Sequence, residues 1–348
     1  MITYAILLHP GHNRVYFSAS KTLSLHELTI ALRSFQGSFG PAELRELAGV
    51  PYITFTSQTP LSPQQLTDLG RLSPVYALFR LEENADGPIL HPLALPESRY
   101  MDSSVSSILK YTGKTNELFT RMMLSVAYHS LPTPPREPVR VLDPIAGKGT
   151  TLAECLIRGW DAYGVEIGDK AAGEAFAYMK KYLETEKYKH EAQNQRISGP
   201  NRSFTARRYQ ITLAHNKDEF KHSPRQWEMV AGDSQYCDHY FRHGFFHLIV
   251  GDLPYGVQHG NVTGQSQGSL TRNPCQLVEK CCPAWHKVLM KNGILALSWN
   301  SFVLSWEDLA AVLERHGFQV FREEPYHSFE HRVDQAIRRD LIVAEKAE

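Results

Sequence analysis

The sequence has no surplus of charge of either sign. Its 348 residues include 37 Lys and Arg against 37 Asp and Glu, so the formal net charge is zero. The overall charge therefore does not indicate a nucleic-acid-binding protein. Hydrophobic residues make up 42% and charged residues 21%, which is typical of a soluble globular protein. The length suits two domains or one large domain.

Long hydrophobic runs and cysteine pairs are also lacking. No stretch approaches the ~20 apolar residues that cross a bilayer, and the opening MITYAILLHPGH lacks the basic start of a secretory signal. The five cysteines form no CxxC pair, and their odd number disfavours a disulfide framework. We therefore expect a cytoplasmic protein with reduced thiols and no membrane contact.

Charge is nevertheless uneven along the chain. Residues 180–226 contain eleven Lys or Arg against five Asp or Glu, so the remainder is net acidic. A basic segment of this kind can be the electrostatic footprint of a nucleic acid. It can equally be a solvated helix and loop. The charge alone leaves both interpretations open.

Hydrophobic periodicity predicts a small α+β module over residues 1–97. ITYAILLHP, PYITFTS and PVYALFRLE are predicted strands, and LSLHELTIALRSF and LSPQQLTDLGRL are predicted helices. Ser62 as N-cap and Pro63 at the first helical position indicate where the second helix begins. Residues 98–135 are predicted to be a connector and a helix that Asn116 can cap.

Residues 136–348 alternate strand and helix, which is typical of an α/β fold with a Rossmann-like, doubly wound sheet. The predicted strands are VRVLDP, AYGVEI, WEMVAGD, FHLIVGD, GILALSW, FQVFREE and DLIVAEK. Residues about 185–226 fit no simple strand–helix unit, so we expect them to be an insertion.

Four consecutive predicted strands each end in an acid: Asp143, Glu166, Asp233 and Asp252. Ligands of open α/β sheets bind beyond the carboxyl ends of the strands. One such acid is an ordinary cap, but four in order indicate a ligand site. If the ligand is S-adenosylmethionine, Asp143 can accept from its amino group and Glu166 from its ribose hydroxyls. Asp233 can accept from its adenine amino group.

A glycine-containing loop, DPIAGKGTT, follows the first of these strands. Gly147 and Gly149 have no Cβ, so the backbone can approach a ligand closely. The helix that begins there can meet an anion such as the methionine carboxylate. Two other loop types do not fit. A Walker A loop needs Ser or Thr after its lysine, whereas Gly149 follows Lys148, and the dinucleotide pattern needs glycine where Leu152 stands.

The tetrapeptide after the fourth strand, Asp252–Tyr255, predicts chemistry on an amine. An exocyclic amine of a nucleobase is a poor nucleophile because its lone pair is delocalised into the ring. The Asp252 carboxylate and the Leu253 carbonyl can accept its two hydrogens, and Pro254 keeps Leu253 extended. Tyr255 offers a ring on which the base can stack, once that base has left its own stack.

In their order, DPIAGKGTT, GVEI and DLPYG resemble the class I methyltransferases that alkylate exocyclic amines, whose fourth motif is Asn/Asp-Pro-Pro-Tyr/Phe. Leu253 replaces the first proline of that motif. The sequence is most similar to tRNA guanosine N2-methyltransferases of the guanosine-10 and THUMP-associated type. Those enzymes carry a segment similar to YTGKTNELFTRMMLSVA. The resemblance covers about residues 105–348, and residues 1–97 resemble the ferredoxin-like entry domain more loosely.

This resemblance implies an S-adenosylmethionine-dependent RNA methyltransferase that acts on structured RNA, with tRNA as the expected substrate. The implied cofactor-binding residues are Thr115, Asp143, Pro144, Ala146, Gly147, Gly149, Glu166, Ile167, Asp233 and Ser234. The implied catalytic residues are Asp252, Leu253, Pro254 and Tyr255. Two alternatives stay open: a DNA adenine or cytosine amino-methyltransferase, and a catalytically inactive RNA-binding adaptor of the same fold.

A metal site is not expected. His239, His243 and His247 are four residues apart and could share one helical face, but Gly244 interrupts that helix and His247 begins a strand. Four residues could either contact the substrate or have an ordinary structural or surface position: Trp299, Asn300, Arg338 and Arg339.

Overall fold

The computed structural model describes residues 1–9, 14–107, 114–135, 138–255 and 274–347, with residues 14–19 described by their backbone alone. Two sheets organise these residues. The elements of the N-terminal part are β1 (Ile2–Leu8), α1 (Arg14–Ser34), β2 (Glu43–Leu47), β3 (Val50–Ser57), α2 (Pro63–Arg71), β4 (Val75–Asn84) and β5 (Gly87–Leu93).

The N-terminal sheet is antiparallel, with the strand order β2-β3-β1-β4-β5. Its first four strands and two helices form the ferredoxin-like βαββαβ arrangement, which confirms the predicted α+β module. The strands β2 and β5 were not predicted. Four of the five β2 residues are exposed, and β5 contains Pro88 and Pro92, which an edge strand tolerates. The predicted cap of α2 is present: Gln65 N donates to Ser62 Oγ over 3.2 Å.

The helices α3 (Ser104–Ser107) and α4 (Glu117–His129) connect the two sheets. The remaining elements are β6 (Arg140–Asp143), α5 (Thr150–Ile157), β7 (Asp161–Glu166), α6 (Asp169–Thr185), β8 (Lys189–Ser198), β9 (Thr205–Ala214), α7 (Lys217–His222), β10 (Arg225–Ala231), α8 (Cys237–Tyr240), β11 (Phe246–Asp252), α9 (Pro274–Val288), β12 (Leu289–Asn300), α10 (Trp306–Arg315), β13 (Phe318–Val320), β14 (His331–Arg332) and β15 (Arg338–Lys346).

The second sheet has the strand order β13-β15-β12-β11-β6-β7-β10-β9-β8, and β14 pairs with β15. Its five central strands, β10, β7, β6, β11 and β12, are parallel. Numbered as they were predicted, these strands lie in the order 3-2-1-4-5, which confirms the Rossmann-like, doubly wound sheet. The strands β15 and β13 continue the sheet on one side in antiparallel fashion.

The predicted insertion extends the other side of this sheet. The strands β8 and β9 form a hairpin, and β9 pairs antiparallel with β10. Tyr209, Ile211 and Leu213 of β9 are buried, so the hairpin belongs to the core rather than being a solvated helix and loop. Because β9 runs opposite to β10, the hairpin tip at residues 199–204 lies at the edge where the parallel strands end.

Helices cover both faces of the second sheet. Leu248 and Val250 of β11 lie in one buried cluster with side chains of α4, α5 and α6. Ile249, which points to the opposite face, lies in a second cluster with side chains of α8, α9 and α10. This alternation is expected of a strand covered on both sides. None of the helices within the described ranges is long and apolar enough to cross a membrane.

Helix α1 joins the two parts of the chain. Leu28 packs into the core of the N-terminal sheet. Leu23 and Ile30 instead belong to the cluster that contains Met122 and Met123 of α4. The helix is therefore buried on two sides, and the N-terminal part is attached to the second part by an apolar contact.

A buried guanidinium stabilises this junction. Arg158 follows α5 and is 7% exposed. Its Nη2 lies 2.8 Å from Ser125 Oγ and 3.0 Å from the carbonyl oxygens of both Arg71 and Arg121. Burial lowers the pKa of Arg158 to about 10, so it remains charged near neutral pH. Burial also raises the pKa of Glu27, which α1 contributes to the same region.

We predict that Arg158→Met lowers the free energy of unfolding by at least about 2 kcal/mol. The substitution removes the donor from three acceptors on α2 and α4, of which the Ser125 hydroxyl is buried, and leaving a buried acceptor unpaired costs about 1–3 kcal/mol. Urea denaturation measures the change. The control is Arg322→Gln, whose exposed ion pairs with Glu307 and Glu314 are expected to contribute below about 1 kcal/mol. Equal losses in the two variants would contradict the role assigned to Arg158.

Candidate active site

The structure brings the four predicted acids to one edge of the second sheet. The adjacent strands β10, β7, β6 and β11 are parallel, so their carboxyl ends lie side by side. Asp143, Glu166 and Asp252 are the last residues of their strands, and Asp233 follows β10 by two residues. In space the acids run in the order Asp233, Glu166, Asp143, Asp252, which places Asp143 between two other carboxylates.

Asp143 is the most buried of these acids, at 4% exposure. Its Oδ1 accepts a hydrogen bond from Ile145 N at 3.1 Å, and the Thr151 side chain donates a second bond. Burial raises the pKa of Asp143 to about 7, and the nearby Asp252 and Glu166 carboxylates raise it further against the effect of those two donors. The site therefore holds a carboxyl group that titrates near neutral pH.

Glu166 holds the glycine loop in place. Its Oε2 accepts from Gly147 N at 2.9 Å, and its Oε1 accepts from Gly168 N at 2.8 Å. Each oxygen has a second lone pair with which to accept from a ligand. Gly147 and Gly149 have φ values of 53° and 84°, in the left-handed region that favours glycine. Gly149 is also the N-cap of α5.

The other loop residues line the same edge. Pro144 and Ala146 are buried, and Ala146 N donates to Val165 O at 2.8 Å, which fixes the loop against β7. Ile167, directly after Glu166, is 61% exposed. Lys148 forms an ion pair with Glu174 at 2.6 Å, as suits a surface lysine.

Asp233 and Ser234 have mainly structural partners. Asp233 caps the short turn that follows β10 and accepts from Gln235 N at 3.0 Å and Lys280 Nζ at 3.3 Å. Ser234 is buried, and its hydroxyl accepts from Trp285 Nε1 at 2.9 Å. Its side chain therefore faces the helical layer instead of the acidic edge.

Asp252 is surrounded by hydroxyl groups from three parts of the chain. The Tyr255 hydroxyl lies 2.7 Å from Oδ1 and 2.6 Å from Oδ2. Ser298 Oγ donates to Oδ1 at 2.7 Å, and Thr115 Oγ1 donates to Oδ2 at 2.6 Å. Thr115, which the sequence suggested for the cofactor, thus contacts the predicted catalytic carboxylate. Leu253 is buried, and its N–H donates to Ser298 O at 2.7 Å.

Sequence reasoning left the role of Arg339 open, and the structure places it beside Tyr255. Its side chain is 6% exposed, and its Nη2 lies 4.0 Å from Asp252 Oδ2. Its Nε donates to the Tyr255 hydroxyl at 2.6 Å. The guanidinium carbon lies 4.4 Å from the centre of the Phe119 ring. Arg338 points the other way, where it is 47% exposed and pairs with Glu330. The sequence of β15, RRDLIVAEK, gives no local signal that separates Arg339 from Arg338.

Two further residues support this end of the sheet. Trp299 is fully buried and donates from Nε1 to Leu304 O at 2.7 Å, so it is a core residue. Asn300 donates from Nδ2 to Tyr255 O at 3.4 Å and accepts from Arg338 N at 3.1 Å. Asn300 therefore braces the turn after Asp252.

The three histidines are not gathered into a metal site. His247 lies at the opposite end of β11, and its Nδ1 accepts from Arg140 N at 2.9 Å. His239 lies beside the rings of Phe204 and Tyr236. Within the residues that the structure describes, no group of three His, Cys, Asp or Glu could hold a metal ion. Gly256, the last residue of the predicted motif, lies outside the described residues.

The chain matches no protein-family model, and no curated protein matches it. Solved structures do resemble it. TrmN from Thermus thermophilus aligns over 99% of this chain and 100% of its own, with 14% identity and a TM-score of 0.43. A TehB-like SAM-dependent methyltransferase from Corynebacterium glutamicum aligns over 62% of this chain and 83% of its own, with 15% identity and a TM-score of 0.35. An rRNA methylase from Streptococcus thermophilus aligns over 61% of this chain and 89% of its own, with 14% identity and a TM-score of 0.31. The fold assignment rests on the strand order and directions above.

The raised pKa of Asp143 predicts a pH-dependent stability. The folded protein binds the Asp143 proton up to about pH 7, whereas an unfolded Asp releases it near pH 4. The contribution of Asp143 to the free energy of unfolding is therefore fully present below about pH 4. It is lost as the pH rises toward 7, by up to about 1.4 kcal/mol per pH unit. Asp143→Asn removes this dependence. Urea denaturation of both proteins between pH 4.5 and 8 should give curves that diverge, and parallel curves would contradict the prediction.

Proposed function

We propose that the protein is an S-adenosylmethionine-dependent methyltransferase that methylates an exocyclic amine of a nucleobase in structured RNA, with N2 of a guanosine in tRNA as the specific target. The observation that carries this proposal is the position of Asp252. It ends a parallel strand next to Asp143, it carries hydrogen bonds from three hydroxyl groups, and the turn after it holds a proline and an aromatic ring.

The carboxylates and the glycine loop at this edge fit S-adenosylmethionine. This ligand carries two cationic groups, and the edge presents the Asp143 carboxyl group, whose pKa is raised by its burial and by the neighbouring carboxylates of Asp252 and Glu166. Asp143 would take the ammonium group and thereby become ionised. Glu166 would accept from the ribose hydroxyls with its remaining lone pairs, and exposed Ile167 would cover the adenine. When bound, S-adenosylmethionine supplies an electrophilic methyl group on its sulfonium sulfur.

Asp233 and Ser234 are assigned a smaller part in binding the cofactor than the sequence suggested. The Asp233 carboxylate already accepts from Gln235 and Lys280, and the Ser234 hydroxyl is used by Trp285. We therefore assign the main cofactor contacts to Asp143, the glycine loop, Glu166 and Ile167.

The chain's own groups account for activation of an amine. Asp252 would accept one amine hydrogen and the Leu253 carbonyl the other, so the nitrogen lone pair is drawn out of the ring and becomes available. Because the hydroxyls of Ser298 and Thr115 hold both Asp252 oxygens, the carboxylate is oriented before the base arrives. Fixed groups of this kind contribute to catalysis because they need no reorganisation during the reaction.

Two observations support RNA as the substrate. Thr115 belongs to the segment that resembles the tRNA enzymes, and it contacts Asp252 directly. In addition, the hairpin brings two exposed arginines to the same edge as the acids: Arg196 near the end of β8 and Arg202 in the tip. Arg208 is not available there because it pairs with Glu228 at 3.0 Å.

The first test concerns the cofactor and the reaction. Calorimetry should show S-adenosylmethionine binding that Asp143→Ala or Glu166→Ala weakens roughly five- to 150-fold, equivalent to about 1–3 kcal/mol. Asp252→Ala should bind it almost normally. Absence of binding by the unmutated protein would contradict the proposal.

In cells, nucleoside mass spectrometry of RNA and DNA from a deletion strain should show the loss of one methylated nucleoside. We expect the unmutated gene and the exposed control Asp86→Ala to restore it, and Asp252→Ala to leave it absent. Loss of a methylated nucleoside from DNA alone would exclude RNA as the substrate.

The second test concerns docking of RNA. Phosphate contacts release counterions, so affinity for tRNA should fall steeply with salt. Replacing Arg196 and Arg202 by Gln should weaken binding and flatten the salt slope by up to about two units. The matched control is the double variant Arg315→Gln and Arg322→Gln, in which two exposed arginines near α10 are neutralised. S-adenosylmethionine affinity should stay constant. Superimposable titrations would place docking elsewhere on the protein.

A further inference from the structure

Three protein hydroxyls are directed at the two oxygens of Asp252, and the Tyr255 hydroxyl lies within hydrogen-bond distance of both oxygens. An ionised carboxylate offers about four lone-pair sites on its two oxygens. Oδ1 receives Tyr255 and Ser298, both at 2.7 Å, and Oδ2 receives Tyr255 and Thr115, both at 2.6 Å. The Tyr255 hydroxyl has one hydrogen and spans both oxygens, so an amine that donates at the edge between them has to take the place of that hydroxyl.

Tyr255 is the hydroxyl that can leave. Ser298 lies within β12 and is fully buried, and Thr115 immediately precedes the N-cap of α4. Ser298 is held by the backbone of β12, and Thr115 is bonded in the chain to Asn116, whose side chain is fixed by its bonds from Leu118 N and Phe119 N. Tyr255 lies three residues beyond the end of β11 and is partly exposed. Its departure leaves Asp252 held by the two fixed hydroxyls.

Arg339 holds Tyr255 in its present position. The phenol lies between a cation and an anion: it accepts from Arg339 Nε at 2.6 Å and donates to Asp252. Arg339 in turn lies over the rings of Phe119 and Tyr255, with 4.4 and 5.2 Å to their centres. Neighbouring His331 is buried, which lowers its pKa to about 4, so it adds no second charge near neutral pH.

We propose that Tyr255 is a displaceable stand-in for the substrate amine, and that Arg339 is the positioning residue that keeps it on Asp252 until a base enters. The inference rests on the proposed function and adds a selection step to it. An amine N–H replaces the phenol O–H on Asp252, so the number of hydrogen bonds to the carboxylate is conserved. A base without a suitably placed donor cannot make this exchange, and the Tyr255 hydroxyl then remains in place.

The test uses the full chain saturated with S-adenosylhomocysteine, so that no methyl group is transferred. Two labelled single-stranded ribo-oligonucleotides differ at one position, which is 2-aminopurine in one and unsubstituted purine in the other. Fluorescence anisotropy gives the dissociation constant of each. The ratio of the two constants measures selection for the amine and cancels contacts with the phosphates.

We expect unmutated protein to prefer the 2-aminopurine probe, and Tyr255→Phe to increase that preference about five- to tenfold, because no hydroxyl has to be displaced from Asp252. Arg339→Met should increase it in the same direction, because it frees Tyr255. The control Arg338→Met, on the neighbouring exposed arginine, should leave the ratio unchanged. Thermal melting should show one cooperative transition for each variant, at a lower temperature for Arg339→Met because that substitution removes a buried guanidinium.

An unchanged or smaller ratio in Tyr255→Phe would overturn the inference, because the hydroxyl would then either be irrelevant to base binding or support it. This outcome leaves the proposed function intact as long as S-adenosylhomocysteine binds. If the unmutated protein binds neither S-adenosylhomocysteine nor either probe, the proposed function fails and this inference fails with it.

Discussion

Parallel pairing of β10, β7, β6 and β11 is the constraint on which the site depends. Because the four strands run in one direction, their hydrogen bonding fixes the distance between their ends, and the acids that terminate them have to lie together. This arrangement buries Asp143 and places it beside two other carboxylates, and burial first and repulsion second raise the pKa of Asp143. A cationic ligand relieves the repulsion, so the backbone geometry itself favours such a ligand.

The features that could be predicted from the sequence are those with a local signal. Apolar runs ending in an acid marked the parallel strands, and helical periodicity marked the helices between them. The cap at Ser62 was readable because its partner, Gln65, is only three residues away. The order of the acids along the chain was enough to infer their convergence, since strands that alternate with helices form parallel sheets.

The features that could not be predicted depend on contacts between distant residues. Nothing near Arg338 and Arg339 distinguishes them, because which of two consecutive side chains faces the site is set by the pairing of β15 with β12. The bond from Thr115 to Asp252 spans 137 residues. The hairpin was missed although Tyr209, Ile211 and Leu213 alternate with polar residues, which is a strand pattern. An antiparallel hairpin does not fit the alternation of strand and helix, and its pairing partner, β10, follows only later in the chain.

The two-sided burial of helix α1 limits where the chain can be divided. One side of it completes the N-terminal core and the other covers Met122 and Met123 of α4. A fragment that lacked α1 would expose these methionines to water and would tend to self-associate. The N-terminal part therefore cannot be removed together with α1 without uncovering part of the core of the second part.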